Sequence, residues 1–296
     1  MKRGLLVGIN YIGTDLELKG CVNDVRNVNK FLLSIGYLQK NIRRLTDNTI
    51  QKPTKQNIIT NLVNMVNNAN EGDELFFLYS GHGTQIVDTS DDELMEGVLV
   101  GSGGGGGIGG GIGSVQAVGG GGRDSVLVPI DFTVNGFILD DDIRTILSQL
   151  KKGVRITIIM DCCNSGTCCD LKYNYRDLSY NKPNADLRNY KSNEWKTQQK
   201  KILNNNYSDL NGDIFMISGC GDLQTSADTS FNGIPSGALT GILLLILSEY
   251  KNVLSWSTLL KDLNRRLKLL GYTQRPMLSA GKEINLKLSM FPNYKK

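Results

Sequence analysis

The chain carries one histidine, His82, in "LYSGHGTQ", and six cysteines, four of which crowd into "MDCCNSGTCCD" as Cys162, Cys163, Cys168 and Cys169. Each segment follows an apolar run and closes on a glycine-bounded turn, a setting that presents a side chain at the edge of a fold rather than inside it. A thiol is a weak nucleophile until it is deprotonated, and a neighbouring imidazole does that. One histidine and one cysteine at the ends of two apolar runs is the minimal arrangement for nucleophilic thiol catalysis. Spacing alone leaves open a core cysteine beside an incidental surface histidine. Zinc is a poor fit: there is no C-x-x-C, and adjacent cysteines point apart along a strand, so vicinal pairs rarely ligate one ion.

The elements that must position these groups alternate. Apolar runs at 4–10, 74–81, 154–161 and 213–219 read as buried strands. Helical spacing lies between them: Val25, Val28 and Leu32 on one face of 22–35, and Ile58, Ile59, Leu62, Val63 and Val66 after Thr54, a plausible N-cap. Further helices are expected over 140–150, 238–250 and 257–270. Strands alternating with helices imply an α/β fold, a mostly parallel sheet covered on both faces, with functional groups just beyond the carboxyl ends of its strands.

Two segments break the pattern. Residues 101–122 are mostly glycine and read as a flexible loop. Its chance G-x-G-x-x-G matches are followed by more glycine rather than a helix, which argues against a phosphate loop. Residues 172–206, rich in Asn, Tyr, Lys and Arg, read as a basic exposed linker between a larger part, 1–171, and a smaller one, 207–296, of one domain.

Composition excludes several classes. The 296 residues are 40% hydrophobic, enough for one large domain, and the formal charge of +4 (33 basic, 29 acidic) argues against a nucleic-acid binder. The longest apolar run, 238–247, is too short for a membrane span and reads as a buried helix. "MKRGLLVGIN" has no long apolar core, so no secretory signal is expected. Six cysteines in a chain this size do not make a disulfide framework, and reduced thiols in the cytoplasm are expected.

With these residues in view, the chain resembles the metacaspases, the caspase-like cysteine peptidases of protists, fungi, plants and bacteria. "LLVGINYIGTDLELKGCVNDVRNVNKFL" is similar to the family's opening strand and first helix, "YSGHGTQ" to its histidine motif and "DCCNSGT" to its cysteine motif, usually D-[SA]-C-H-S-G-T. "VLVPIDF", "GFILDDDI", "SGCGDLQTSAD" and "GALT" match further segments in order. The match is to a type I-like catalytic domain without the long prodomain of many members. The resemblance implies the caspase-like fold, a six-stranded, mostly parallel sheet with helices on both faces.

The resemblance also assigns roles. Cys163, at the third motif position, is the nucleophile, and Cys162 takes the usual Ser or Ala position. Strand parity agrees: Asp161 and Cys163 fall on one side, as do Ser80 and His82, leaving Cys162 to the core. Asn164 stands where the family usually has His, a position that is not the base. Backbone N–H groups of Cys163 and Gly81 are the expected oxyanion donors, and no residue stands out as the group orienting His82. The family cleaves polypeptides after Arg or Lys, using positions that correspond to Cys21, Asp24, Ser80 and Asp161. Two carboxylates there favour a cationic side chain, although Asp24 is equally a favourable first-turn helix residue. Four aspartates that hold an activating calcium (Ca2+) in many members correspond to Asp124, Asp140, Asp141 and Asp170, an oxygen donor set suited to a hard ion; "DDD" also suits an ordinary helix start. The glycine tract falls beside Asp124. The expected protein is thus a monomeric, self-processing Arg/Lys-specific endopeptidase, cleaving in its own linker, with no nucleic-acid or membrane partner. The alternative is a non-catalytic caspase-like scaffold or regulator.

Overall fold

The structure, a computed structural model, describes residues 1–87, 123–162, 169–177, 199–203, 207–219, 228–231, 233–250 and 254–291. Along the chain run β1 (Lys2–Gly8), α1 (Cys21–Ser34), β2 (Ile42–Thr46), α2 (Lys55–Asn67), β3 (Glu74–Ser80), β4 (Gly83–Val87), β5 (Arg123–Leu127), α3 (Phe132–Asn135), β6 (Ile138–Leu139), α4 (Asp140–Ser148) and β7 (Arg155–Asp161). They are followed by β8 (Tyr173–Asp177), β9 (Gln199–Leu203), β10 (Asp213–Ser218), β11 (Asp228–Phe231), β12 (Ile234–Gly237), α5 (Ala238–Glu249), α6 (Trp256–Leu269) and β13 (Met277–Ala280). The glycine tract, Cys163, Cys168, Asn164 and most of the segment read as a linker lie outside the described residues.

The four apolar runs become β1, β3, β7 and β10, and with β2 they form five adjacent parallel strands. The main sheet has the order β2-β1-β3-β7-β10-β13-β8-β9, eight strands rather than the six expected. Two of the additions correct the linker reading. β8 pairs antiparallel with β13, and β9 with β8, so residues 173–177 and 199–203 belong to the sheet. The signal was the alternation in "YNY": Tyr173 and Tyr175 are buried against the α5/α6 layer, while the polar residues around them hid the period.

Alternation along each central strand feeds two cores. Leu5, Val7, Phe77, Tyr79, Ile158 and Met160 pack on the α2/α4 face. Leu6, Phe76, Leu78 and Ile159 face α1, α5 and α6. The second core joins residues of both halves of the chain, from Val25 to Trp256, so the two parts share one interior. Truncating a large aromatic in such a core costs about 3–5 kcal/mol. The expected cap holds: the Thr54 hydroxyl accepts the Asn57 N–H at 3.2 Å, and Ser255 does the same for Thr258 at the start of α6. The run 238–247 lies in α5 with Leu239, Ile242, Leu243 and Ile246 buried. Among the described residues no helix is long and apolar enough to cross a membrane.

A second, three-stranded sheet of order β4-β5-β6 begins directly after His82. It carries Val128 back under the end of β3, where Val128 N–H reaches the His82 carbonyl at 3.1 Å.

Candidate active site

The candidate site lies at the carboxyl ends of β1, β3 and β7. The neighbours of β1 on its two sides are β2 and β3, so the loops leaving β1 and β3 open a crevice at a switch point of the sheet. The registers place Ser80 beside Gly8 on one side and Asp161 on the other. Sequence-distant groups from the first, third and seventh strands therefore meet at one edge.

His82 is held from two directions. Its Nε2 lies 2.9 Å from the carbonyl oxygen of Leu16. A carbonyl only accepts, so the ring donates from Nε2–H and leaves the lone pair on Nδ1. The Tyr11 ring packs against the imidazole, with centroids 4.9 Å apart and planes tilted by 42°. The group orienting His82 is thus a main-chain carbonyl, which no residue type advertises in a sequence. Cys163 lies outside the described residues; the structure carries β7 to Asp161 and Cys162. Cys162 is buried in the core that holds Tyr11 and Tyr79, the small core position expected of it.

Parity fails at the other strand end. Ser80 points to α1, with its Oγ donating to Asp24, whereas His82 meets Tyr11 and Leu16, groups of the opposite core. The bend at Gly81 ends the period-two alternation. That bend also corrects the oxyanion assignment of Gly81. Its N–H donates to the Asp161 carbonyl at 3.3 Å, prolonging the β3–β7 ladder, and so is already engaged.

Asp24, Ser80 and Asp161 lie together at this edge. Asp24 is 0% exposed and Asp161 4%. Asp24 accepts from Ser80 Oγ at 2.7 Å, from Ser236 Oγ, and from Gly237 N–H at 3.0 and 3.2 Å to its two oxygens. Asp161 Oδ2 accepts from Thr240 N–H at 2.8 Å. Burial, and then the charge of Asp161, hold the Asp24 carboxyl well above the usual carboxylate range. Cys21 is buried one turn earlier at the start of α1. Ser236, Gly237 and Thr240 were not among the sequence candidates. The match at "GALT" marked their neighbourhood, but only folding delivers the first turn of α5 to a carboxylate on α1. A Cβ on Gly237 would stand 2.2 Å from Asp161 Oδ2 and 3.0 Å from Asp24 Oδ2, so that position admits no side chain without displacement.

The four remaining aspartates gather near the start of α4. Asp140 is 5% exposed and accepts from the N–H groups of Ser125 (2.8 Å) and Asp141 (3.1 Å). Burial and the carboxylates of Asp170 and Asp124 push it up to about 8. Burial pushes Asp170 up to about 6, with Asp141 and Asp124 adding to the shift and Tyr207 and Arg144 opposing it. These carboxylates feel one another's charge, as an all-oxygen cation site does. They do not close into a chelate, for among the described residues no three His, Cys, Asp or Glu side chains form a metal-binding group.

The Caspase domain family model (peptidase C14) matches residues 1–284. Metacaspase-1 of Candida albicans is 35% identical over 97% of this chain and 66% of its own length. Metacaspase-1 of Eremothecium gossypii is 32% identical over 97% and 65%, and that of Scheffersomyces stipitis 33% over 98% and 73%. The chain spans about two thirds of the length of these curated relatives. A solved structure of a Geobacter sulfurreducens protein covers 100% of this chain and 99% of its own with a TM-score of 0.63 at 23% identity, a likeness of fold.

Proposed function

Because this chain belongs to the caspase-domain family, among the metacaspases, we propose that it is a cysteine endopeptidase cleaving polypeptides after Arg or Lys through a Cys163–His82 dyad. The observation that carries the reading is the pair of buried carboxylates, Asp24 and Asp161, at the same sheet edge as an imidazole whose Nε2–H is already bonded to Leu16. Nδ1 of His82 takes the Cys163 thiol proton. The thiolate attacks the scissile carbonyl, the protonated His82 gives its proton to the leaving amine, and water releases the acyl group as a free acid. The Cys163 N–H is the proposed oxyanion donor. Asp24, Asp161, Ser80 and the lining thiol Cys21 receive the substrate cation, which enters a site of opposite sign.

Calcium activation and self-processing belong to the same proposal. Asp124, Asp140, Asp141 and Asp170 would hold the ion, which requires them to draw closer than they stand here, where no three form a metal-binding group among the described residues. Bound there, calcium would supply the positive charge that lets these carboxylates ionise together. Buried Cys21, Cys162 and Cys169 suit a reducing, cytoplasmic compartment, and the proposed active form is a monomer.

The test is a fluorogenic panel of peptides ending in Arg, Lys or Asp, with and without calcium. Turnover should be confined to Arg and Lys and abolished in Cys163→Ala and His82→Ala, while Cys162→Ala keeps most of it. Equal rates on Asp peptides would reject the acidic pocket. Turnover surviving in Cys163→Ala would reject the nucleophile.

A further inference from the structure

The loop between β1 and α1 grips His82 more closely than packing requires. His82 N–H donates to Tyr11 Oη at 3.0 Å, and Tyr11 Oη–H donates to the Val128 carbonyl at 2.6 Å. A return path runs through Tyr79: Val128 N–H donates to Tyr79 Oη at 3.1 Å, and Tyr79 Oη–H donates to the His82 carbonyl at 2.9 Å. In a regular continuation of the β4–β5 ladder, His82 and Val128 would exchange two direct bonds. One survives at 3.1 Å; the Tyr11 hydroxyl stands in the other. Both tyrosines are almost wholly buried, so water does not compete for these bonds.

Three further observations single out Tyr11 over Tyr79. Its ring packs against the imidazole at a 42° tilt, with centroids 4.9 Å apart. Its φ is +50°, a left-handed backbone that an aromatic residue rarely adopts and that persists where surroundings overdetermine it. Its own carbonyl accepts from Thr14 N–H (3.1 Å) and Thr14 Oγ1 (2.7 Å), and Glu17 N–H returns to Thr14 O at 3.2 Å. That run of turns carries Leu16, whose carbonyl takes Nε2–H. Ring support and tautomer-fixing carbonyl therefore come from one short, internally bonded loop. The glycine before His82 fits the same picture: a Cβ on Gly81 would lie 3.1 Å from Tyr11 Oη and 3.2 Å from Tyr79 Oη, pressing on both hydroxyls.

We propose that Tyr11 is the positioning residue of His82, its hydroxyl fixing the His82 backbone and its ring holding the imidazole against the Leu16 carbonyl. The inference rests on the dyad reading above, because positioning matters only if His82 is the base.

His82 is the single histidine of the chain, so its ring nitrogens can be read without assignment. In protein labelled with 15N-histidine and carrying Cys163→Ala to prevent self-cleavage, NMR should report one tautomer, protonated at Nε2. Adding Tyr11→Leu should convert that signal to an averaged mixture of tautomers. In the active protein, Tyr11→Leu should lower kcat on an Arg peptide by roughly ten- to hundredfold, with KM within about twofold, the signature of a misplaced base. Tyr11→Phe, which keeps the ring, should restore the single tautomer and part of the rate. Tyr79→Phe loses an equally buried hydroxyl but no ring contact and should keep the tautomer. A folded Tyr11→Leu with an unchanged ring spectrum and kcat within about twofold overturns the inference. If Tyr11→Leu does not fold, a rate for Tyr11→Phe equal to that of the parent overturns it. Turnover retained in His82→Ala would instead sink the dyad reading, an outcome the NMR result does not depend on.

Discussion

Replacing Gly237 by alanine adds one methyl group at the point where the two sides of the proposed substrate pocket meet. The Gly237 backbone, at φ −63° and ψ 142°, is open to alanine, so the cost is steric rather than conformational. The methyl carbon would fall 2.2 Å from Asp161 Oδ2, 2.6 Å from its Cγ and 3.0 Å from Asp24 Oδ2. Relieving this to ordinary contact needs roughly 1 Å of movement between the first turn of α5 and the carboxylates. Such a shift stretches the Gly237 N–H bonds to Asp24 and the Thr240 N–H bond to Asp161 beyond hydrogen-bonding distance. Overpacking costs about 1–3 kcal/mol and the weakened bonds about 1–2 kcal/mol; the less flexible unfolded chain returns about 0.4–1 kcal/mol. The net loss should be about 2–4 kcal/mol, or roughly 3–6 °C in Tm at this chain length. Thermal melts in the Cys163→Ala background avoid self-cleavage, and kcat/KM on an Arg peptide in the active protein should fall about 100-fold. A Tm within about 2 °C of the parent together with kcat/KM within about twofold would refute the close approach of α5 to Asp161.

The pocket should respond to pH with a definite sign. Burial and Asp161 raise Asp24, so over a window above the ordinary carboxylate range the folded protein holds a proton that the unfolded chain has lost. The stability from that group is full below its unfolded value and is lost as pH rises through the raised one. An entering guanidinium displaces the proton, so kcat/KM on Arg peptides should climb with pH across the window, and Asp24→Asn should lower it and flatten the climb. A parallel profile in Asp24→Asn would contradict this. Calcium should activate at roughly micromolar to millimolar concentration, with magnesium a poor substitute. Asp140→Ala combined with Asp141→Ala should abolish the response, and full activity in chelator would exclude it. Self-cleavage should avoid Arg176, Lys200 and Lys201, whose backbones pair across β8 and β9, and fall among Lys182, Arg188, Lys191 and Lys196. Mass spectrometry of calcium-treated protein should find those ends, and none in Cys163→Ala; first cuts within the paired strands would argue against the ladder.

The central strands and both helical layers were legible in the sequence because burial on two faces writes continuous apolar runs, and burial on one face writes a 3.6-residue period. Thr54 was legible as a cap because its hydroxyl acts on its own neighbours. β2 was not: "IRRLT" turns two arginines to solvent at the sheet edge and buries only Ile42, Leu45 and Thr46. β8 and β9 were hidden because Tyr173 and Tyr175 alternate with Asn174 and Arg176, a pattern that looks like polar linker until the α5/α6 layer covers the tyrosines.

The motifs around His82 and Cys163 were legible from residue types, since an imidazole and a thiol announce their chemistry in one-letter code, while the likeness of Asp24 and Asp161 to pocket positions came from the family resemblance. What those groups face depended on the tertiary structure. The carbonyl of Leu16, the hydroxyls of Tyr11 and Tyr79, the N–H of Gly237 and the side chain of Ser236 act through backbone or ordinary polar atoms that many residues share. Their roles come from position only: β1, β3 and β7 lie side by side, and the first turn of α5 ends against a carboxylate on α1 more than two hundred residues away in sequence.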